Sequence, residues 1–409
     1  MSRNVVMIGA FDTKGHEYAL LRQRLLDAGL NVIAVDTGVM PADAPFRVDV
    51  AASDVATAGG ADLSNLRQNK DRGAAMKAMS QGAAAVAKRL HGEGRLDGII
   101  GMGGTGGSSV VTAAMRALPL GVPKVCLSTI ASGDTSSYVG SKDITLIPSI
   151  VDVAGVNRIS RMMIAQAAAA ITGMVNAKPV AATEDRPIIA ASMFGNTTEC
   201  VNACSKLLDN AGFEVLVFHA TGTGGRTMES LVDEGLIDSV LDITTTEWAD
   251  TICGGIFDAG RDRLSAPGRR GIPHLIVPGC VDMCNFGPRA TVPQKYNDRL
   301  LYEWNPSVTL MRTTVDENRE MGRIFAEKAN ASTGPVAFLL PLRGVSILDG
   351  DGQLFCDRAA DQAMFDAIKQ HVRPNIPVIE LDNNINDAAF AERAVGLMME
   401  LRQAKEQVK

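Results

Sequence analysis

The chain has 409 residues, 46% hydrophobic and 21% charged, too many for one hydrophobic core and suited to two or three domains. Its net charge of −6 excludes a basic field that would hold nucleic acid, and no apolar stretch reaches the ~18 residues that span a membrane. Met1-Ser2-Arg3-Asn4 opens without a signal peptide, and seven cysteines, an odd number, suit a reducing, cytoplasmic setting rather than a disulfide scaffold.

From the amino end, residues 5–9, 31–36, 98–102 and 124–127 read as strands. They lack period-2 alternation, so both faces are buried, as in a parallel sheet. Helices are expected over 16–28, 71–93 and 108–118, with an alanine-rich buried helix over 164–174. The second half repeats this grammar. Strands are expected at 187–191, 214–219, 274–277 and 335–340, with another apolar run at 240–243. Helices are expected over 198–211, 227–235, 296–302, 316–330, 361–371 and 388–404. The fold class is α/β: two Rossmann-like lobes, each a mostly parallel sheet flanked by helices, facing each other across a cleft. Residues 1–178 form the first, nucleotide-binding lobe, 179–186 a linker, and 187–409 the second lobe. Phe11 and Phe194, Gly29 and Gly212, and Asp36 and His219 are each 183 positions apart, which marks either a duplicated unit or convergence on a common strand–helix–strand phrase.

The strongest chemical motif is Gly101-Met102-Gly103-Gly104-Thr105-Gly106-Gly107-Ser108-Ser109, between a strand and a helix. Glycines let a backbone approach an anion closely, and a helix start points free N–H groups at it. Gly103, Gly104, Thr105, Gly106 and Gly107 are the expected phosphate cradle, with Ser108 and Ser109 as further hydroxyl donors. No Gly-Lys-Ser/Thr follows, so this is not a P-loop, and its place on a late strand departs from the dinucleotide fingerprint. The alternative is a tight turn with no ligand.

Two further loops belong at the same sheet edge, where parallel sheets bind ligands. In the first, Asp12 suits a helix cap or a water-mediated Mg²⁺ ligand, Thr13 accompanies it, and Lys14 suits a phosphate or solvent. The second carries Thr129, Ala131, Ser132 and Gly133. Asp36 suits a ribose hydroxyl or a turn, and Arg72 a phosphate or the surface. In the second lobe His219-Ala220-Thr221-Gly222-Thr223-Gly224-Gly225-Arg226 reads as another anion cradle. His219 as general acid or base, Cys280 as nucleophile, Arg343 as anion clamp, and Glu247 and Asp282 as carboxylates are the candidate catalytic residues; satisfied polar groups at strand ends are the alternative. Cys280-x3-Cys284 and Cys200-x3-Cys204 lack zinc spacing, so no resident metal is expected beyond Mg²⁺ travelling with a nucleotide.

The glycine run, together with Ser128-Thr129-Ile130-Ala131-Ser132-Gly133, Pro148-Ser149-Ile150-Val151-Asp152, Asn157-Arg158-Ile159-Ser160 and the second-lobe runs Ala191-Ser192-Met193-Phe194-Gly195-Asn196-Thr197-Thr198 and Phe218-His219-Ala220-Thr221-Gly222, closely resembles the ATP-binding family of the plant tobamovirus-resistance protein. The resemblance spans nearly the whole chain. It implies ATP on the first lobe, at the loops of Asp12, Gly103 to Gly107 and Thr129 to Gly133, and a homodimer. The plant protein's viral partner does not carry over. Two readings follow: an ATP-dependent enzyme acting on a small anionic substrate in the second lobe, or a non-catalytic, ATP-binding regulatory module. Convergence of Glu247, His219, Cys280 and Arg343 on one cavity would favour the enzyme.

Overall fold

The computed structural model describes residues 2–178 and 186–407. The chain divides into two compact units, Met1–Ala181 and Ala182–Lys409. Apart from Arg186, the expected linker 179–186 lies outside the described residues.

The first lobe is built on β1 (Asn4–Gly9), β2 (Asn31–Asp36), β3 (Gly98–Gly103), β4 (Lys124–Ser128) and β5 (Thr145–Pro148). All pairs are parallel, in the order β2-β1-β3-β4-β5. Burial on both faces explains the unalternating strands. Val5, Met7, Ile100 and Val125 pack under the helices Phe11–Asp27 and Arg158–Asn176. Val6, Ile8, Ile99 and Cys126 pack under the helices Ala52–Ala58, Arg72–Gly92 and Thr105–Arg116. The strand order reverses between β1 and β3, so the ligand-binding crevice of such a sheet opens where those strands end. The glycine turn is late in the sequence, yet it stands on this central strand. Pairing of β1 with β3 runs only to Ile8 and Gly101. Beyond it the buried Tyr18 hydroxyl bridges the strands, accepting from the Met102 amide at 2.7 Å and donating to the Ile8 carbonyl at 2.8 Å. Gly9 must be glycine there, since a Cβ would lie 1.8 Å from the Tyr18 oxygen.

The second lobe has β6 (Ile188–Met193), β7 (Glu214–His219), β8 (Ser239–Thr244) and β9 (His274–Gly279). A separate antiparallel sheet follows, made of β10 (Met283–Phe286), β11 (Leu301–Asn305) and β12 (Val308–Arg312) in the order β10-β12-β11. The chain then adds β13 (Val336–Pro341) and β14 (Val378–Leu381) to the main sheet, whose order is β14-β13-β9-β8-β6-β7, all parallel. Read from β7, this is the order of the first lobe with one strand added. The spacing of 183 carries Asn31–Asp36 onto Glu214–His219 end to end.

Two expectations are corrected. Residues 296–302 are not a helix; a single turn, Gln294–Tyr296, leads into β11, where Leu301 pairs with Met311. The aromatic, alternating run Leu300-Leu301-Tyr302-Glu303-Trp304 gains more from this pairing than from helical propensity. Helices also begin earlier than expected, at Phe11, Thr105 and Thr223.

Candidate functional site

At the end of β3 the chain reaches Gly104, the N-cap of the helix Thr105–Arg116, with no side-chain cap. Gly101 is required by packing, because a Cβ would sit 2.6 Å from the Ile8 carbonyl oxygen, and Gly103 has its neighbour at 3.0 Å. Gly104, Gly106 and Gly107 differ. A Cβ on each would meet its nearest atom at 3.7, 3.6 and 3.6 Å, ordinary contact, and none has a positive φ. Nothing within the chain demands glycine at these three, although inside the helix Gly106 and Gly107 each weaken it by roughly 1 kcal/mol. The amides of Thr105, Gly106 and Gly107 carry no hydrogen bond among the described residues; the first amide to be paired is that of Ser108, bonded to the Gly104 carbonyl at 2.8 Å. Bare backbone, open space and unpaired N–H groups are the features an anion cradle requires. Ser108 turns away from it, fully buried with its hydroxyl 2.5 Å from that of Ser128.

Arg72 opens the helix Arg72–Gly92, and its Nη2 lies 3.6 Å from where a Gly106 Cβ would stand. It makes no ion pair among the described residues. A cavity of about 370 Å³ adjoins it, with Asp12, Thr13 and Arg72 among its polar lining and Val39, Met40 and Met76 among its apolar lining. Asp12 does not cap its helix, whose N-cap is Ala10. Its Oδ2 instead accepts the Met40 amide at 2.9 Å, while Oδ1 is buried with no partner. On the other flank the Thr129 hydroxyl is 3.7 Å from the Gly104 Cβ position. Thr129 and Ser132 line a second cavity of about 370 Å³. Ala131 is half-buried and Gly133 exposed in the same loop.

Two expected ligands are engaged elsewhere. The Lys14 ammonium donates to the Val153 carbonyl. Asp36 is buried, and its Oδ1 takes the amides of Phe11 at 3.0 Å and Gly38 at 2.8 Å, so it forms the turn rather than holding a ribose. Burial raises its pKa against those two hydrogen bonds.

In the second lobe the glycine-rich segment after β7 is already filled. The Glu247 carboxylate accepts the amides of Gly222 at 2.7 Å and Gly225 at 3.1 Å, and a Cβ on Gly225 would collide with it. Its other oxygen meets Arg263 at 2.6 Å. Arg263 is 1% exposed and also grips Asp242 through both Nη atoms, at 2.6 and 2.5 Å, and Glu229 at 3.4 Å. Burial raises the pKa of Glu247 and Glu229; Asp242, equally buried, is held well below the usual range by the Arg263 guanidinium. This knot is structural, and sequence reasoning missed its hub. The available signal was Asp242 inside the apolar run Val240-Leu241-Asp242-Ile243, since a buried charge needs a partner.

The remaining candidates stand apart. His219 is exposed at the end of the edge strand β7. Cys280 is fully buried, and burial pushes its thiol well up, which disfavours the thiolate a nucleophile needs. Asp282 is buried and raised to about 7, by burial and then by the Asp349 carboxylate. Its Oδ2 accepts from Ser346 at 2.8 Å while Oδ1 has no partner. Arg343 is exposed and paired with Asp351, with Asp382 at 3.8 Å, so it is neutralised as an anion clamp. Among the described residues no hydrogen bond joins any two of these five candidates. Nor does any group of three or more His, Cys, Asp or Glu stand ready to hold a metal. No helix among those residues is long and apolar enough to cross a membrane.

Comparison with known proteins gives consistent matches along the chain. Residues 3–180 match the N-terminal domain, and residues 186–402 the C-terminal domain, of the Uncharacterised protein family (UPF0261). A UPF0261 protein of Clostridium tetani is 46% identical over 392 residues, 96% of this chain and 97% of that protein. The ToMV resistance protein Tm-1(GCR237) of Solanum lycopersicum is 42% identical over 337 residues, 81% of this chain but 45% of the tomato protein. Among solved structures, the glycosyltransferase SnogD from Streptomyces nogalater aligns over 98% of this chain and 100% of its own at 13% identity and a TM-score of 0.21, too low to bear on function. With both halves matched, and close bacterial and plant relatives, the chain belongs to the UPF0261 family.

Proposed function

We propose that this protein binds a nucleotide, ATP by the resemblance of its motifs, with the phosphates on the amino end of the helix Thr105–Arg116. The observation that carries the reading is the set Gly104, Gly106 and Gly107, bare although the fold has room for a Cβ at each, beside unpaired amides. Arg72 supplies the positive charge next to Gly106, and Thr129 a hydroxyl next to Gly104. The half-apolar cavity beside Arg72 suits a nucleoside. Mg²⁺ accompanying the phosphates would meet the Asp12 side chain in the lining of that cavity.

Because the five strand-end residues of the second lobe share no hydrogen bond, the reading is a binding module rather than an enzyme working through them. The test is calorimetric titration of ATP, with and without Mg²⁺, into the full chain and into Gly106→Ala. The added methyl has room in the folded chain, so thermal stability is expected to hold or rise, by up to ~1 kcal/mol of helix propensity. It occupies the cradle, so affinity is expected to fall at least tenfold, about 1.4 kcal/mol. Equal affinity in the two proteins, or no binding to the wild type, would sink the assignment.

A further inference from the structure

The second lobe gathers three cations around one cavity. This cavity, of about 230 Å³, opens at the amino-terminal edge of the main sheet, where the chain enters β8 and β9. Arg270 ends the short helix Ala266–Arg270, and Arg402 and Lys405 stand near the end of the helix Ala388–Glu406; all three line the cavity. Arg402 and Lys405 are three positions apart and share one helix face, where like charges repel. Composition does not force this clustering, since acids outnumber bases by 46 to 40 along the chain.

Arg402 is fixed in place. Its Nη1 donates to the Ser239 hydroxyl at 2.5 Å, and its guanidinium lies 4.7 Å from the centre of the Phe213 ring. Arg270 folds over Gly235, which is glycine already for its φ of +79°; Nη2 stands 2.7 Å from where a Cβ would be. The Lys405 ammonium lies 3.5 Å from the corresponding point on Gly271. Among the described residues Arg270 and Lys405 make no hydrogen bond and no ion pair, and Arg402 makes no ion pair. Cations in the last turn of a helix are commonly spent on its terminal carbonyls; these two are not. Nor do the two acids of the lining take them. Asp238 gives Oδ2 to the Ile188 amide at 2.8 Å, and the exposed Glu406 pairs with none of the three.

We propose that this cavity binds a small phosphate-bearing ligand, either the free ion or the monoester of a short metabolite, held by Arg270, Arg402 and Lys405. A guanidinium offers a planar fork that matches phosphate oxygens, and an ammonium offers a compact point charge. A phosphate monoester carries about −1.5 to −2 near pH 7, which matches the two unspent cations. Asp238 and Glu406 in the lining offer acceptors for a hydroxyl on the ester's body. The volume falls below the roughly 300–1,000 Å³ of sites for larger ligands, so it admits one phosphate with a short body and excludes a nucleoside triphosphate. The site is therefore separate in place and in ligand from the glycine cradle of the first lobe.

The test is calorimetric titration of inorganic phosphate, and separately of glycerol 3-phosphate, into the full chain at fixed ionic strength. The proteins are the wild type, Arg270→Gln, Lys405→Gln and Gly106→Ala. The wild type is expected to bind at least one probe with a Kd below about 1 mM. Arg270→Gln and Lys405→Gln are each expected to weaken that binding at least tenfold. Their thermal unfolding in phosphate-free buffer is expected to match the wild type, since neither side chain holds a neighbour. Gly106→Ala, in the first lobe, is expected to leave the affinity unchanged. Tighter binding of the ester identifies a phosphorylated metabolite as the ligand, and equal or tighter binding of inorganic phosphate identifies the free ion; either supports the site. Failure of both probes to bind below about 1 mM overturns the proposal. So does binding that both charge variants retain, or that Gly106→Ala abolishes.

Discussion

Gly101 and Gly106 belong to one motif but exist for different reasons. Gly101 has no space, with the Ile8 carbonyl oxygen at 2.6 Å and the Val111 methyls at 2.6 and 2.7 Å; Gly106 has space that its own chain leaves empty. The contrast between them supports a ligand, because a glycine that packing does not require still costs helix stability. Arg263 shows the opposite case, a charge wholly consumed by the fold. Its guanidinium faces Asp242, Glu247 and Glu229, all buried. Arg263→Met is expected to cost about 3–5 kcal/mol, because it strands buried carboxylates without their counter-ion. Guanidinium unfolding of the variant checks this, and a loss below 1 kcal/mol would mean that the knot is not what holds these segments.

At the scale of elements, the two glycine-rich helix starts have opposite fates. The helix Thr105–Arg116 leaves its first amides unpaired, whereas the helix Thr223–Asp233 receives Glu247. Sequence alone reads both as cradles, since Glu247 lies more than twenty residues from the amides it fills and only the β8 turn carries it there. The segment after β13 shows a second long-range knot. Asp349 and Asp361 each meet both Arg312 and Arg358, and Asp282 lies close enough for Asp349 to raise its pKa. Asp361 is raised to about 8, by burial and then by Asp349. With Asp282 at about 7, the folded chain keeps protons that an unfolded aspartate, near 3.9, has lost. The native state therefore binds more protons than the unfolded state between about pH 4 and pH 7, and this contribution to stability falls as pH rises through that window. Asp282→Asn imitates the protonated acid. Its stability relative to wild type is expected to improve by at least about 1.4 kcal/mol, one pKa unit, between pH 5 and pH 8. Denaturant unfolding at the two pH values checks this, and a difference independent of pH would contradict it.

For the whole molecule, the shared strand order raises the question of how many ligands one chain takes. Both sheets reverse between their first and third strands, β1 and β3 in one and β6 and β8 in the other. Both reversal points are also bridged by a buried hydroxyl. Tyr18 does this in the first lobe; in the second, Ser192 accepts the Thr244 amide at 2.9 Å and donates to Asp242 at 2.6 Å. Of the two glycine-rich helix starts, only that of Thr105–Arg116 keeps its first three amides unpaired among the described residues. ATP is therefore expected to bind with a stoichiometry of one per chain in calorimetry. A value of two would show that Glu247 can be displaced from its helix start.

The sequence by itself determined the lobes and the glycine turn. Unalternating strands follow from burial on both faces, and helix starts rich in glycine follow from backbone chemistry; both are local properties. Asp242 inside an apolar run was a legible sign of a buried charge, but its partner Arg263 was not. What only the tertiary structure decided was availability. Asp36 and Lys14 sit in the expected loops, yet their polar groups are spent on Phe11, Gly38 and Val153. Arg72 gave no more sequence signal than Lys14, yet its helix start delivers it to Gly106. Cys280 and Asp282 follow a strand as a catalytic pair could, yet the loop after β13 and the antiparallel sheet bury them. The physical reason is the same in each case. Residue type sets what a group can bind, but long-range packing sets whether water, a neighbour or a ligand reaches it.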